Sequence, residues 1–401
     1  MQGVPVTAPV RLGPGFWRVW TAATVSELGS GLTYVALPLL TVTLTRDPRL
    51  VSLVGAVQTL PFLLFGLQSG ALADRADRRR IMWTTDVVRA ALTALLALLV
   101  LTGPLTVALL CGLAFALGAA DIAFLNASAA IIPDVVAPDG LERGNAWLGS
   151  SQVVASSFVG LPLGALVFGL SHAAPFAVDA GSFAVAAVLV FGLRGSFRSA
   201  RTGASRLRED VLEGVLWLWR HRLLRTLALL LAVINMTYAA GEGVLVLYAL
   251  EELDLGRLGY PLLLGVLAAG SLVGGTLTPR LRERFGTQPL IATAAALMTL
   301  GLLALGLSTR LPVVLTGLFA GGLGSLVWNV VTITLRQQLV PAGLLGRVTS
   351  AYRLVGLGAM PLGALAGGLV AHALGLRAVY LLAGAVLALA VLAAAPRLRS
   401  A

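Results

Sequence analysis

Gly66-Leu67-Gln68-Ser69-Gly70-Ala71-Leu72-Ala73-Asp74-Arg75-Ala76-Asp77-Arg78-Arg79-Arg80-Ile81 is the stretch on which the fold turns. One apolar run enters it and another leaves at Ile81, while Arg75, Arg78, Arg79 and Arg80 crowd the turn between them. Two long apolar runs joined by a short basic turn read as a membrane hairpin, since loops on one side of a bilayer retain positive charge. Gly66 and Gly70 form a small-xxx-small face that lets helices approach closely, and Asp74 ends the first run. The pattern then repeats. Gly66-x-x-x-Gly70 returns as Gly270-x-x-x-Gly274, and the segment from Gly70 to Arg75 returns as Gly275-Thr-Leu-Thr-Pro-Arg280. Pro138 to Arg143 returns, with one extra residue, as Pro341 to Arg347, and Leu161-Pro-Leu-Gly-Ala-Leu166 as Met360-Pro-Leu-Gly-Ala-Leu365. All offsets fall near half of the 401-residue chain, so the molecule reads as two similar halves facing each other, the arrangement a rocking transporter needs.

Composition agrees. The chain is 58% hydrophobic and 12% charged, with a mean hydropathy of +0.91, whereas soluble domains are about 45–50% apolar and about 25% charged. No soluble core could hide that surplus. With about 20 apolar residues needed per spanning helix, twelve spans emerge: 16–45, 50–73, 81–102, 105–132, 143–170, 175–193, 224–250, 259–280, 288–309, 312–338, 347–370 and 377–395. The first is too long for a signal peptide and lacks a cleavage pattern, so it reads as a retained span. The expected organisation is a six-helix bundle over 1–193, a linker over 194–223 and a second bundle over 224–401.

All 29 basic residues are Arg, against 18 acidic ones, and the net charge is +11. With both termini cytoplasmic, 22 of the 29 lie on the cytoplasmic side, five lie outside (Arg46, Arg49, Arg257, Arg310, Arg377) and Arg89 and Arg353 sit within spans. The basic balance therefore describes membrane orientation and contact with anionic lipid, and nucleic acid is not needed to explain it. Within the linker, Leu207 to Arg220 carries apolar residues on one broad helical face between basic ends, which predicts an amphipathic helix on the inner membrane surface tying the halves together. Cys111 is the only cysteine, so no intrachain disulfide can form. The three His lie far apart in the sequence, and neither a metal-ligand set nor a Gly-x-x-x-x-Gly-Lys-Ser/Thr loop occurs. With no such loop and no Lys in the chain, ATP-driven transport by this chain alone is excluded, and a membrane enzyme is disfavoured because no nucleophile–base or metal constellation appears.

The Gly70 to Ile81 segment resembles the signature of the major facilitator superfamily between its second and third helices. Gly70, Leu72, Asp74, Arg75, Arg78 and Arg79 match, and Asp77 stands where the general pattern has Gly. That variant resembles the branch of macrolide-efflux permeases and the enterobactin exporter, the drug:H+ antiporters of type 3. Phe16-Trp17-Arg18-Val19-Trp20, Leu60-Pro61, Pro133-Asp134, Arg336-Gln337, Pro341 and Gly346-Arg347-Val348 extend the likeness along the chain. The resemblance implies an all-α integral membrane fold of twelve helices in two pseudo-symmetric bundles. It also implies a conformational latch formed by Gly70, Asp74, Arg75, Arg78, Arg79 and Asp134, in which Asp74 faces the start of the eleventh span and Arg78 pairs with Asp134. The second copy has Pro279 in place of the acid, so its latch is expected to be weaker. Gly160-Leu161-Pro162-Leu163-Gly164 resembles the antiporter motif with the proline displaced, and reads more simply as a packing face.

Charges inside a bilayer are costly and mark function. Asp86 has Arg89 at i+3 and reads as a structural pair. Asp179, one turn from the outer end of its span, reads as a water-reaching cap. Glu27, Asp121 and Glu242 lie deeper with no basic residue within a helical turn, and are the proton-coupling candidates. In the family's fold the first, fourth, seventh and tenth spans line the cavity, which makes Asn126, Asn235, Tyr238, Trp328 and Asn329 the substrate-cavity candidates. The expected activity is proton-coupled efflux of amphipathic small molecules from a bacterial inner membrane by a monomer, energised by the proton gradient with no cofactor. A dedicated exporter of one metabolite such as a siderophore, or a non-transporting scaffold, are the alternatives.

Overall fold

The computed structural model describes residues 12–195, 197, 207–256, 258–341 and 344–399; the side chains of 67, 70, 71, 73–75, 138, 207–211, 398 and 399 lie outside that description. Among the described residues it is all helical, and twelve helices are long and apolar enough to cross a membrane. The first bundle holds α1 (Pro14–Leu44), α2 (Pro48–Arg75), α3 (Arg78–Thr102), α4 (Val107–Val135), α5 (Leu141–Leu170) and α6 (Ala174–Phe191). The connecting helix α7 covers Leu207–Arg220. The second bundle holds α8 (Arg222–Glu242), α9 (Gly259–Phe285), α10 (Thr287–Leu307), α11 (Leu311–Leu339), α12 (Leu345–Leu374) and α13 (Leu376–Arg399).

Local chemistry sets the ends. Asp47 caps α2 by accepting from the Arg49 backbone N–H at 2.9 Å, and Thr106 caps α4 through the Leu109 N–H at 3.3 Å. Asp77 caps α3 through the Arg80 N–H at 3.1 Å. The departure from the superfamily signature at that position is thus a helix start, where a negative side chain also suits the helix dipole. Gly103, with φ of 91°, closes α3 in the left-handed conformation that glycine adopts freely.

Spans five and eleven are irregular at matching places of the repeat. In α5 the backbone widens over Val154–Gly160, and the Leu161 N–H reaches Ser156 O, five residues back. In α12 the helix breaks at Ala359, between segments Leu345–Gly358 and Met360–Leu374. Each irregularity ends at the repeated Leu161-Pro162 or Met360-Pro361, where the proline has no N–H to continue the ladder. Both long helices are therefore divided into two rods at mid-depth. Span eight of the chain's twelve carries Pro279, which stands where the first half has Asp74, without a break. Span seven, expected to run to 250, instead stops at Glu242; after Gly243 and Val244 a short turn, Leu245–Leu247, leads into a widened one, Tyr248–Glu252.

Small residues bring helices close. A Cβ on Gly270 would lie 2.1 Å from Phe319 O, and one on Gly274 2.5 Å from Leu323 O, so α9 and α11 touch through backbone. Gly160 and Gly164 pack in the same way on Gly31 and Leu32 of α1. Gly66, by contrast, has open space around it, so the expected close-packing role fails at that residue. Large apolar side chains such as Leu101, Leu170, Leu369 and Leu392 point outward and are exposed, as a lipid-facing surface requires.

The connecting helix docks on the second bundle. Gly214 lies against the Arg347 backbone, and Arg347 forms an ion pair with Glu213. Leu218 is fully buried while Leu212, Leu216 and Trp219 stay exposed. One apolar edge thus faces protein and the other is left for the membrane surface.

Candidate transport site

The first bundle contains a buried charge cluster built on three helices. On α3, Asp86 is fully buried, and Arg89 Nη1 donates to its Oδ1 at 3.0 Å. Arg89 Nε lies 2.7 Å from Asp121 Oδ1 on α4. Two rings hold the guanidinium from its faces: Phe183 at 3.9 Å and Phe124 at 4.7 Å from centroid. Arg89 is only 6% exposed, whereas Asp121 reaches the wall of a central cavity of about 430 Å³. Arg89 is thus shared by an acid sealed in the bundle and an acid facing the cavity. Sequence spacing assigned it to Asp86 alone, and left Asp121 without a base. The i,i+3 pair is local, but the second contact comes from another helix and no spacing announces it.

Asp179 departs from expectation more sharply. It is 1% exposed, accepts from Thr33 Oγ1 at 2.6 Å and from Ser182 Oγ at 3.1 Å, and does not reach water. Gly29 makes room for it: a Cβ there would lie 2.4 Å from Asp179 Oδ1. Glu27 borders a separate cavity of about 310 Å³ with Ser156 and Ser157, and accepts from Gln152 Nε2 at 3.5 Å.

Glu242 comes from the other bundle and ends α8. Its carboxylate accepts a hydrogen bond from the Tyr34 hydroxyl of α1, across the boundary between the halves. Glu242 borders the 430 Å³ cavity and a neighbouring one of about 200 Å³ that also touches Tyr238 and Tyr380. Tyr34 borders all three cavities named so far. The structure therefore brings Asp121, Glu242 and Tyr238 to connected space, with Glu27 beside Tyr34.

The remaining cavity candidates lie elsewhere. Asn126 donates to Ser69 Oγ at 2.6 Å and Asn235 to Gly356 O at 3.0 Å, so both tie helices together. Trp328 is 2% exposed among Leu230, Gln288 and Ile291, inside the second bundle, and Asn329 borders none of these cavities. On α11 it is Gly317, Leu318 and Gly321 that reach the cavity; Trp328 stands about two turns farther along the helix, beyond its depth. In the signature segment Arg78 Nη1 donates to Asp134 Oδ2 at 2.7 Å and Arg79 Nη1 to Leu193 O at 2.6 Å. The side chains of Gly70, Asp74 and Arg75 fall outside the described part.

The halves meet on the face opposite the termini. Arg46 Nη1 lies 3.9 Å from Glu251 Oε1, and His372 Nδ1 lies 3.7 Å from Asp47 Oδ1. Gly368 of α12 packs directly on Ser52 of α2. Arg49 holds the Asp47 carboxyl down at about 2 through hydrogen bonding.

Comparison with known proteins places this architecture. The chain is 27% identical to the multidrug efflux pump Tap of Mycobacterium tuberculosis over 368 residues, covering 87% of this chain and 86% of that protein. Tap of Mycolicibacterium fortuitum is 29% identical over 358 residues, with 85% of each covered. Among solved structures, the nucleoside transporter NupG superposes with a TM-score of 0.77 at 11% identity, covering 95% of this chain and 98% of that one. The sequence matches the family described as transmembrane secretion effector over residues 6–400. The chain thus belongs to that family of the major facilitator superfamily, and is a multi-pass membrane transporter with twelve spans rather than an enzyme.

Proposed function

We propose that this transporter exports amphipathic small molecules in exchange for protons, by alternating access of the central cavity. The observation that carries the reading is the shared arginine: Arg89 contacts buried Asp86 and cavity-facing Asp121 at once. A proton arriving from the cavity meets Asp121 first. Neutralising it removes the ion pair by which Arg89 of α3 holds Asp121 of α4 and leaves Arg89 to Asp86 on its own helix, so proton occupancy biases the packing of the cavity wall. Glu27 and Glu242 are the further candidates for carrying protons. The kinship with proteins named multidrug efflux pumps supports a broad small-molecule substrate class.

The driving force suffices. At ~150 mV, one charge moving inward yields ~3.5 kcal/mol, enough for a gradient of a few hundredfold. The Arg distribution supports a bacterial inner membrane with both termini cytoplasmic, which makes the closed face periplasmic. The Arg78–Asp134 pair, with Arg79 and the Gly70, Asp74 and Arg75 segment, then forms the latch on the cytoplasmic side. Protons and membrane lipid are the partners, the protein acts as a monomer, and no cofactor is used.

The test is proton movement in everted membrane vesicles with an acid interior, challenged in turn with macrolides, dyes, tetracyclines and siderophores. Substrate-triggered proton release in the wild type, absent in Asp121→Asn, is the expected result. Unchanged release in Asp121→Asn would remove the coupling role from that residue. Silence with every compound, with the protein present in the membrane, would overturn broad proton-coupled export.

A further inference from the structure

Five of the chain's six tyrosines gather around one carboxylate. Tyr34 donates its hydroxyl hydrogen to Glu242. Tyr238 and Tyr380 share one cavity with Glu242, and Tyr260 shares the other. Tyr248 stands behind them, its ring edge-on to Tyr380 with centroids 4.9 Å apart. Tyr380 is anchored by its hydroxyl to Gly241 O at 2.9 Å, and Tyr248 by its own to Leu305 O at 2.7 Å. These two are fixed to backbone through their polar ends.

The two cavity-facing acids differ in what balances them. Asp121 has Arg89. Glu242 has a neutral phenol, and among the described residues lining its two cavities none is Arg or His. The chain contains no Lys. A carboxylate in an apolar wall carries its charge only beside a positive partner, so an arriving cation is what would ionise it, and aromatic rings attract cations through their faces. The smaller cavity continues into Leu264, Leu267, Leu302 and Leu305, a wall suited to an apolar body and to no second charge.

We propose that the Glu242 pocket binds the cationic end of an organic ligand, a quaternary or tertiary ammonium or a phosphonium centre, with the ligand's apolar part against the leucines. This names the substrate class for the efflux reading and rests on it for transport, though not for binding.

The experiment is equilibrium dialysis of the purified full-length protein in detergent, with radiolabelled tetraphenylphosphonium and with its anionic counterpart tetraphenylborate. The wild type should bind the cation saturably, with no competition from the anion. Glu242→Gln should weaken cation binding about tenfold or more, and Tyr34→Phe, which keeps the ring, should weaken it less. Equal binding of cation and anion by the wild type would overturn the proposal without any variant. So would wild-type affinity in a Glu242→Gln protein that elutes as one species. The two readings fail separately. Saturable, Glu242-dependent cation binding without proton release in vesicles would sink proton coupling and support this pocket. Proton release with neutral compounds, with no cation binding, would sink the pocket and keep coupling.

Discussion

Arg89 carries a burden that few side chains meet: two carboxylates, two aromatic rings, and almost no water. Removing it strands Asp86, which has no exposed surface and whose Oδ2 already lacks a hydrogen-bond partner among the described residues. Breaking a buried pair from one side costs about 3–5 kcal/mol. Arg89→Met should therefore lower the thermal unfolding midpoint in detergent sharply, and adding Asp86→Asn should recover much of the loss. No recovery would mean that Asp121 or the ring contacts, rather than Asp86, dominate the site. At the rim, Asp47 supplies a pH signature. Its carboxyl is depressed to about 2 by Arg49, so its stabilising contribution is complete above the unfolded value near ~4 and is lost as pH falls through about 2. The difference in unfolding midpoint between wild type and Asp47→Ala should shrink as pH falls through that window. At this scale the sequence was readable where partners share a helix, as Asp86 and Arg89 do. It was silent where they do not: the Asp121–Arg89 and Tyr34–Glu242 contacts join different helices, and hydropathy carries no information about rotation of one helix against another.

Helices were more legible than contacts. Apolar run length is a property of the chain itself, so all twelve spans could be read, and the Pro and Gly punctuation located most ends. The exception in span seven is instructive. The run stays apolar past residue 242, but Gly241 and Gly243 flank Glu242, and Gly243 packs against Ser52 across the closed face. Tertiary contact, not hydropathy, ends the helix there. Glycine spacing misled in the same way: Gly66 and Gly270 occupy equivalent positions of the repeat, yet only Gly270 touches a neighbouring backbone. This predicts opposite outcomes for one substitution. Gly270→Ala should destabilise by about 1–3 kcal/mol through overpacking, while Gly66→Ala should be neutral or stabilising by up to about 1 kcal/mol through helix propensity. Paired unfolding midpoints decide it, and equal destabilisation at both positions would show that the α2 site is as crowded as the α9 site.

Across the whole molecule, the repeat explains why one closed arrangement implies another. Each bundle has a long helix divided at its Leu-Pro or Met-Pro step, in α5 and α12, and the halves are closed along the outer part of α2 and α12. Ser52 and Gly368 meet closely within that closure: a Cβ on Gly368 would sit 1.8 Å from Ser52 Oγ and 2.8 Å from Pro48 O. The outer contacts, the exposed Arg46–Glu251 ion pair and the approach of His372 to Asp47, lie at the rim and contribute little by themselves. Packing at Gly368 thus holds the state, and a bulky residue there should penalise this state alone. Overpacking of about 1–3 kcal/mol corresponds to a shift of about 5- to 150-fold in a two-state population. Gly368→Leu should therefore open the face that carries residues 46 to 48. In a Cys111→Ser background, a cysteine at Val54, on the central cavity wall, reports this directly. It should react faster with a membrane-impermeant maleimide applied from that face in Gly368→Leu than with Gly368 retained. Unchanged labelling, in protein that still elutes as one species, would place the restraint elsewhere in the interface and make the α2–α12 contact a consequence of closure rather than its cause.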